Sequence, residues 1–346
     1  MPLKISVITP SLNQAEFIEE TILSILQQDY PDFEHIIIDA GSTDGTASVV
    51  QRYPHVTWIS EPDKGQAHAI NKGLLLATGD IIAYLNSDDV YRKGAFRTVA
   101  SVFASEPRTQ VVVGNCDYLN AKSETAGFLK AKFPGFDGLL RYWGWDQWVC
   151  VPQPAVFMRR SLLAEAGLFD TRYQMVMDFE MWLRIAKVYP FRVIDQTLAG
   201  FRLSPHTKTV SRIHEMYIEE RLAFLAHLDA LRPPRRAVVG LAARRHFGRQ
   251  MLRVAERYAL ADRATGRLPL RLVLRGLASW PLLALNPRAW LTVGQMVCPG
   301  ERSRSAVRRV HRACLSLGGR LVAARQTRNT PPERQPQTET TGAGCS

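Results

Sequence analysis

The sequence predicts an α/β protein built on a doubly wound sheet, with a basic helical extension at its carboxyl end. Three observations carry this. Short apolar runs alternate with helix-periodic segments over the first 120 residues; strand–helix–strand alternation of this kind builds a sheet covered on both faces. The runs are mostly continuous and β-branched, as in buried parallel strands. Charge is also unevenly placed: residues 1–205 carry 19 Lys and Arg against 23 Asp and Glu, and residues 206–346 carry 25 against 9.

Taken in order, residues 5–9, 34–39, 56–60, 81–86 and 110–118 read as strands. Between the first two, residues 14–28 place Phe17, Ile18, Thr21, Ile22, Ile25 and Leu26 on one helical face. Asn13 followed by Glu16 predicts a capping box for that helix. A dinucleotide-binding turn is excluded, because Thr9-Pro10-Ser11-Leu12-Asn13 stands where G-x-G-x-x-G would follow the first strand. Residues 133–148 break into a Gly- and aromatic-rich stretch with Phe136, Tyr142, Trp143, Trp145 and Trp148. Such a stretch lines a groove or packs over a sheet face, and the residues alone leave both open.

Residues 161–166 and 178–188 are helix-periodic, and 193–201 read as a strand. Beyond them the chain turns helical and arginine-laden, and every basic residue after Lys208 is Arg. Residues 268–298 are apolar but broken by Arg271, Arg275, Pro281, Pro287 and Arg288. No run there reaches the roughly 18–20 apolar residues of a spanning helix. The last twenty or so residues, rich in Pro, Gln, Thr and Gly, read as disordered. The expected organisation is a catalytic domain over 1–211, a helical Arg-rich region over 212–300 and a basic tail over 301–346.

The 346 residues carry a net charge of +12. No DNA- or RNA-binding motif accompanies that charge, so no nucleic acid is expected as partner. Arginines interleaved with Leu and Trp instead suit a surface lying on the anionic inner face of a membrane, or a helical subdomain whose arginines are solvated. Cys116, Cys150, Cys298, Cys314 and Cys345 are odd in number and lack metal-ligand spacing, which predicts a reducing compartment. Met1-Pro2-Leu3-Lys4 runs straight into a strand, so a cytoplasmic protein, peripheral on the inner membrane face, is expected.

The richest chemistry follows the fourth strand, in Asn86-Ser87-Asp88-Asp89. A buried strand ending in two carboxylates delivers hard oxygen ligands to the sheet rim, where open α/β folds bind ligands. Oxygen ligands of this kind suit Mg²⁺ or Mn²⁺ shared with phosphate oxygens. Three further polar turns are expected on the same edge: Thr9-Pro10-Ser11-Leu12-Asn13, Asp39-Ala40-Gly41-Ser42-Thr43-Asp44-Gly45-Thr46, and Glu61-Pro62-Asp63-Lys64-Gly65. Asp39 suits a base imide, Ser42 or Asp44 suits a helix cap, and Lys64 suits a phosphate.

This ordered set resembles the inverting family-two glycosyltransferases, over roughly residues 5–209. The resemblance implies a GT-A fold with a mixed sheet, and sugar transfer from a nucleoside-diphosphate sugar to a glycan or lipid-linked acceptor of bacterial surface-polysaccharide type. It implies nucleotide and donor contacts from Thr9, Pro10, Asn13, Asp39, Ser42, Asp63, Lys64, Asn71, Asn86 and Ser87. Asn86-Ser87-Asp88 stands at the family's D-x-D motif, so Asp88, supported by Asp89, is the implied ligand of Mn²⁺ or Mg²⁺. Met177-Asp178-Phe179-Glu180-Met181-Trp182-Leu183-Arg184 resembles the family's E-D-x-x-L-x-x-R helix start and makes Asp178 the implied general base. Gln153 and Trp182 are placed on the acceptor side, and Lys208 or His206 near the diphosphate.

Two departures stand out. Asn86 replaces the first metal-motif Asp, and Met177 replaces the Glu before the base. A sugar-nucleotide pyrophosphorylase would need a Gly-rich, Arg-containing loop where Thr9–Asn13 stands. A non-catalytic nucleotide-binding tether has only Asn86 in its favour.

Overall fold

A computed structural model describes residues 2–140, 150–203, 207–208, 212–260 and 268–282. Tyr142, Trp143, Trp145, Trp148 and His206 lie outside these residues, as does the tail beyond 282 with Pro287 and Arg288. Chain contacts divide the protein into two compact units, Met1–Met251 and Leu252–Ser346.

The strands are β1 (Ile5–Ser11), β2 (Phe33–Asp39), β3 (Val56–Ser60), β4 (Ile81–Tyr84), β5 (Val90–Tyr91), β6 (Val111–Leu119), β7 (Thr125–Leu129), β8 (Val156–Arg159) and β9 (Phe191–Arg202). They form one mixed sheet in the order β3-β2-β1-β4-β8-β6-β9-β5, with β7 paired to β6. The parallel half is β3-β2-β1-β4, and β6 and β9 are also parallel. β8 runs antiparallel between β4 and β6. All seven residues of β1 and all four of β4 are buried, as expected for strands covered on both faces.

The helices of the first unit are α1 (Ile18–Leu26), α2 (Thr46–Val50), α3 (Gln66–Leu76), α4 (Ala95–Ser105), α5 (Phe136–Leu139), α6 (Leu163–Ala166), α7 (Met177–Ala186), α8 (Ile213–His227) and α9 (Pro233–Leu260), within which the division falls. α1 buries Ile18, Thr21, Ile22 and Ile25 of the predicted face, while Phe17 is half-buried and Leu26 exposed. Its predicted capping box does not form: the cap is Phe17, and the Asn13 side chain is drawn across to Thr43 instead. One core packs α3, α7 and α8 against the sheet, through Ile70, Leu74, Met181, Leu183, Ala223 and Phe224. The other holds α4, with Phe96, Val99 and Phe103 over Ile81, Val112 and Phe157. In the second unit, α10 (Leu268–Ser279) buries Leu272 and Val273.

α3 lies close on β1 because of Gly73. A Cβ there would meet the Ile8 Cγ2 at 2.4 Å, in a core without room to give. Gly73→Ala is therefore expected to destabilise by about 1–2 kcal/mol, the overpacking cost exceeding the gain in helix propensity. A lower urea midpoint at unchanged m-value would show it; a midpoint at or above wild type would mean the helix can retreat freely.

Candidate active site

Parallel register sets Ser11 beside Asp39 and Asp39 beside Ser60, so the first turns meet on one rim. The buried Asp39 carboxylate organises its own turn. Its Oδ2 accepts the N–H groups of Gly41 (3.1 Å) and Ser42 (2.9 Å) and the Ser60 hydroxyl (2.7 Å). The Ser42 hydroxyl donates to Oδ1. Ser42 thus serves Asp39 rather than capping α2. Asp44 does meet the helix start, accepting the Thr46 N–H at 3.1 Å and its hydroxyl at 2.6 Å. Asn13, at φ +53°, accepts the Thr43 N–H at 2.9 Å and gives its own N–H to the Ser42 Oγ at 2.7 Å. The loops after β1 and β2 are zipped into one polar lip.

Thr9 and Pro10 are not part of that lip. Both are buried residues of β1, and the Thr9 hydroxyl lies 2.9 Å from the His35 Nε2 on β2.

The third turn is set by Asp63, whose Oδ1 accepts the Gly65 N–H at 2.7 Å. Lys64 is exposed beside it. Gly65 has φ +112°, and a Cβ there would fall 2.0 Å from the Gln174 Oε1, so only glycine admits this approach. The next residue, Gln66, donates from Nε2 to the Asn86 Oδ1 at 2.6 Å and accepts from the Lys208 Nζ at 3.1 Å. Asn71 faces elsewhere. Its amide both accepts from and donates to the backbone of Phe169, at 2.9 and 2.8 Å, which makes it a clamp on that loop rather than a rim group.

The acidic turn after β4 is held by Arg202, the last residue of β9, which is 1% exposed. Its backbone N–H donates to the Asp89 Oδ1 (2.8 Å) and its Nε to the Asp88 carbonyl (2.8 Å). The remaining donors reach the Asn120 carbonyl (3.1 Å), the Ser123 hydroxyl (3.0 Å) and the Glu20 Oε2 (2.6 Å). The guanidinium also lies 4.6 Å over the Phe17 ring. Asp89 is 0% exposed, and its second oxygen accepts from the Asn86 Nδ2 at 3.0 Å. Burial, then the charge of Asp88, raises its pKa well above the usual carboxylate range. Ser87 is buried, and Asp88 is half-buried, its pKa also raised by burial against the pull of Arg202 and Lys208.

Asp178 stands in the first turn of α7, half-buried, with Oδ1 accepting the Phe179 N–H at 2.8 Å. Among the described residues no cation pairs with it, and burial pushes its carboxyl up to about 6. It shares the field of Tyr84, whose buried hydroxyl is raised by burial and then by Asp178 and Asp89. Tyr84 ends β4, so the base candidate and the acidic turn flank one strand end. Gln153 bridges this place, donating to the Tyr84 carbonyl at 2.8 Å and accepting from Asn86 at 3.3 Å. Trp182, expected on the acceptor side, is 2% exposed and edge-on to Phe191 in the core, on the buried side of α7.

Residues 6–165 match the sequence pattern of glycosyl transferase family 2. An uncharacterized glycosyltransferase of Mycobacterium tuberculosis (strain CDC 1551 / Oshkosh) is 31% identical over 198 residues, which span 53% of this chain and 69% of that protein. The chain belongs to glycosyl transferase family 2. A second relative is TuaG of Bacillus subtilis (strain 168), which carries the name of a teichuronic acid biosynthesis glycosyltransferase. It is 44% identical over 95 residues, 26% of this chain and 37% of TuaG, so the match covers little more than a third of that relative. Among solved structures, S. aureus TarS 1–349 in complex with UDP aligns at TM-score 0.59 and 17% identity, over 90% of this chain and 92% of that one. The mannosyltransferase PcManGT from Pyrobaculum calidifontis, in complex with GDP-Man and Mn²⁺, aligns at TM-score 0.52 and 21% identity, over 89% and 84%. The fold is the GT-A fold that the sequence resemblance implies.

In this family-2 chain the pattern-matched segment contains the polar lip, the acidic turn and Gln153, whereas Asp178, Arg202 and Lys208 lie beyond it. Among the described residues no three His, Cys, Asp or Glu side chains form a metal cage. One half-buried carboxylate, Asp88, with raised pKa and neighbours that hold it in place, fits a cation that arrives with substrate phosphates better than a resident one. Sequence reasoning gave no role of their own to two organising residues. Arg202 lies just past the strand expected over 193–201, and Gln66 is one residue of the stretch 63–73 that resembles the family's donor-lining segment; their positions beside acidic motifs were the available signals.

Arg202→Met is expected to lose about 2 kcal/mol or more, since several charge-assisted hydrogen bonds go with it. Urea unfolding measures this, and a wild-type midpoint would show the acidic turn to be held by other contacts.

Proposed function

We propose that this protein transfers a sugar from a nucleoside-diphosphate sugar to a hydroxyl of a glycan or lipid-linked acceptor, with inversion at the anomeric carbon. The observation that carries the reading is Asp178: a half-buried carboxyl with no counter-charge among the described residues, its pKa near 6, flanking the strand end that leads into Asp88. TuaG's name and the nucleotide-sugar complexes of TarS and PcManGT support the class of acceptor pathway and donor.

In this reading Asp39, Ser42 and Asn13 form the nucleoside lip, while Asp63, Lys64 and Ser87 border the donor. Thr9, Pro10 and Asn71 support these groups from behind. Asp88 is the protein ligand of Mn²⁺ or Mg²⁺, with Asp89 and Asn86 orienting it. When bound, the cation supplies charge neutralisation for the departing diphosphate. Lys208, within electrostatic reach of Asp63 and Asp88, adds a positive charge on the same side. The acceptor hydroxyl attacks the anomeric carbon from the face opposite the diphosphate. The bond to the diphosphate oxygen breaks, and the hydroxyl proton passes to the Asp178 carboxylate. Gln153 borders the place where the two substrates meet.

The pKa fixes the sign of the pH dependence. At pH 7–8 Asp178 is ionised and able to accept a proton; below about 6 it is protonated and transfer falls. Stability runs the other way. A carboxyl whose folded pKa lies above its unfolded value favours the folded state only while protonated, and this is lost as pH rises through about 6. Asp178→Asn should therefore cut kcat by at least about 100-fold while leaving stability at pH 8 equal to wild type or up to about 3 kcal/mol higher. The measurement is nucleoside diphosphate release with a panel of nucleotide sugars, acceptors and Mn²⁺, across pH. Full transfer by the Asn variant would remove Asp178 as base, and activity indifferent to EDTA would remove the cation from Asp88.

A membrane-facing acceptor is supported by α9, which exposes Val238 (70%) and Leu241 (57%) beside the exposed Arg244 and Arg245. Aliphatic groups among arginines suit an anionic lipid surface. No helix among the described residues is long and apolar enough to cross a membrane, so the contact would be peripheral. The protein should float with anionic but not neutral liposomes, and Val238→Glu with Leu241→Glu should weaken flotation. Equal behaviour on both lipids would end this reading.

A further inference from the structure

The segment entering α7 has an unusual anchor. The N–H groups of Gln174, Met175 and Val176 all donate to one oxygen, the Glu219 Oε2, at 2.8, 2.7 and 3.3 Å. Successive backbone N–H groups at a helix entrance form a concave site for an anion. Here the anion is a side chain of α8. α7 has no side-chain cap of its own at Val176, and Val176 and Met177 are buried, so water is poorly placed to replace Glu219.

The location matters as much as the bonds. Two residues past Val176 stands Asp178, whose own carboxylate is spent on one side by the Phe179 N–H. Gln174, the first of the three donors, presses its side chain on Gly65, at the head of the donor-side helix α3. Glu219 also lies within the electrostatic field of Lys208 and Arg212, on the segment before α8. A second tie between α7 and α8 has a different place: His227 and Arg184 grip the buried Glu180, one helical turn further from the loop. Of these two ties, Glu219 acts on the end that carries Asp178.

We infer that Glu219 is a positioning residue for glycosyl transfer: its carboxylate fixes the loop 174–176 and thereby sets the Asp178 carboxylate against the acceptor hydroxyl. The inference rests on Asp178 being the base, and it adds a residue from outside the 6–165 segment that defines the family match. The reaction itself is unchanged. The acceptor proton still goes to Asp178, and Glu219 neither gains nor loses one.

The test compares wild type, Glu219→Ala, Glu219→Gln and Asp178→Asn as full-length proteins. Readouts are kcat and donor KM for nucleoside diphosphate release, nucleoside diphosphate affinity by titration, and amide hydrogen exchange at residues 174–176. Glu219→Ala should lower kcat about 100-fold, the size of effect expected for a misplaced catalytic group, with donor KM and nucleotide affinity within about 3-fold of wild type. Exchange at 174–176 should accelerate, and Glu219→Gln, which keeps an acceptor oxygen, should recover about ten-fold of the lost rate. A purely structural role would lower kcat and nucleotide affinity together and show no rescue by Gln, and that result overturns the inference. So does unchanged exchange at 174–176 in Glu219→Ala, a readout that does not depend on knowing the acceptor. If the alanine variant fails to fold, Glu219→Gln carries the same comparison. Wild-type kcat in Glu219→Ala beside an inactive Asp178→Asn defeats this inference alone, whereas full activity in Asp178→Asn defeats the base assignment on which it rests.

Discussion

A guanidinium cannot be buried without acceptors for its donors, and Arg202 shows how far a fold will go to supply them. Two backbone carbonyls, a hydroxyl, a carboxylate and an aromatic face converge on it from the α1 region, the β6–β7 turn and the acidic turn itself. Because Asp88 lends its carbonyl to this arrangement and Asp89 takes the Arg202 backbone N–H, the acidic turn is shaped from behind while one face of Asp88 stays accessible. Two adjacent carboxylates in a buried turn repel and are desolvated; a buried cation at fixed distance makes their proximity tolerable.

The rest of the site follows a similar division of labour. Carboxylates that hold structure accept several donors: Asp39 from its own turn, Asp44 from both neighbouring loops, Glu219 from the entrance of α7. Asp178 is different, with a single local N–H and no cation among the described residues. A carboxylate satisfied by three or four donors is a poor proton acceptor, and one left partly unsatisfied in a desolvated place is a good one. The hydrogen-bond pattern thus sets Asp178 apart from the acids that hold structure.

How much of this was legible in the sequence follows from the range of the interactions involved. β1 to β4 and the α1 face were readable because their signals are local: β-branched runs bounded by polar turns, and a 3.6-residue apolar period. Asp39, Asp88 and Asp178 stand out in the sequence because they sit in ordered motifs. The capping box failed because Asn13 had a better use, joining the turn after β2 across 30 residues of chain. β5 is two residues long and exists only because β9 pairs with it, so no periodicity could announce it. Thr9, Asn71, Asp89 and Trp182 illustrate a different limit: motif membership marks them in the sequence, while their burial shows only once the chain is folded. Arg202 and Glu219 carry no motif at all, and their roles appear only once β9 and α8 are folded back onto earlier parts of the chain.

The contact between Arg202 and Glu20 closes a loop of 182 residues. Synthesis proceeds from the amino terminus, so the strands of the parallel half leave the ribosome long before the residue that shapes their acidic rim. A nascent chain can therefore collect its parallel strands early, yet its acidic corner remains unorganised until β9 docks between β6 and β5. Long-range closure of this kind is slow relative to local helix and turn formation. Competence for chemistry is in this way tied to the maturity of the polypeptide, with the last strand of the sheet acting as the final assembly step.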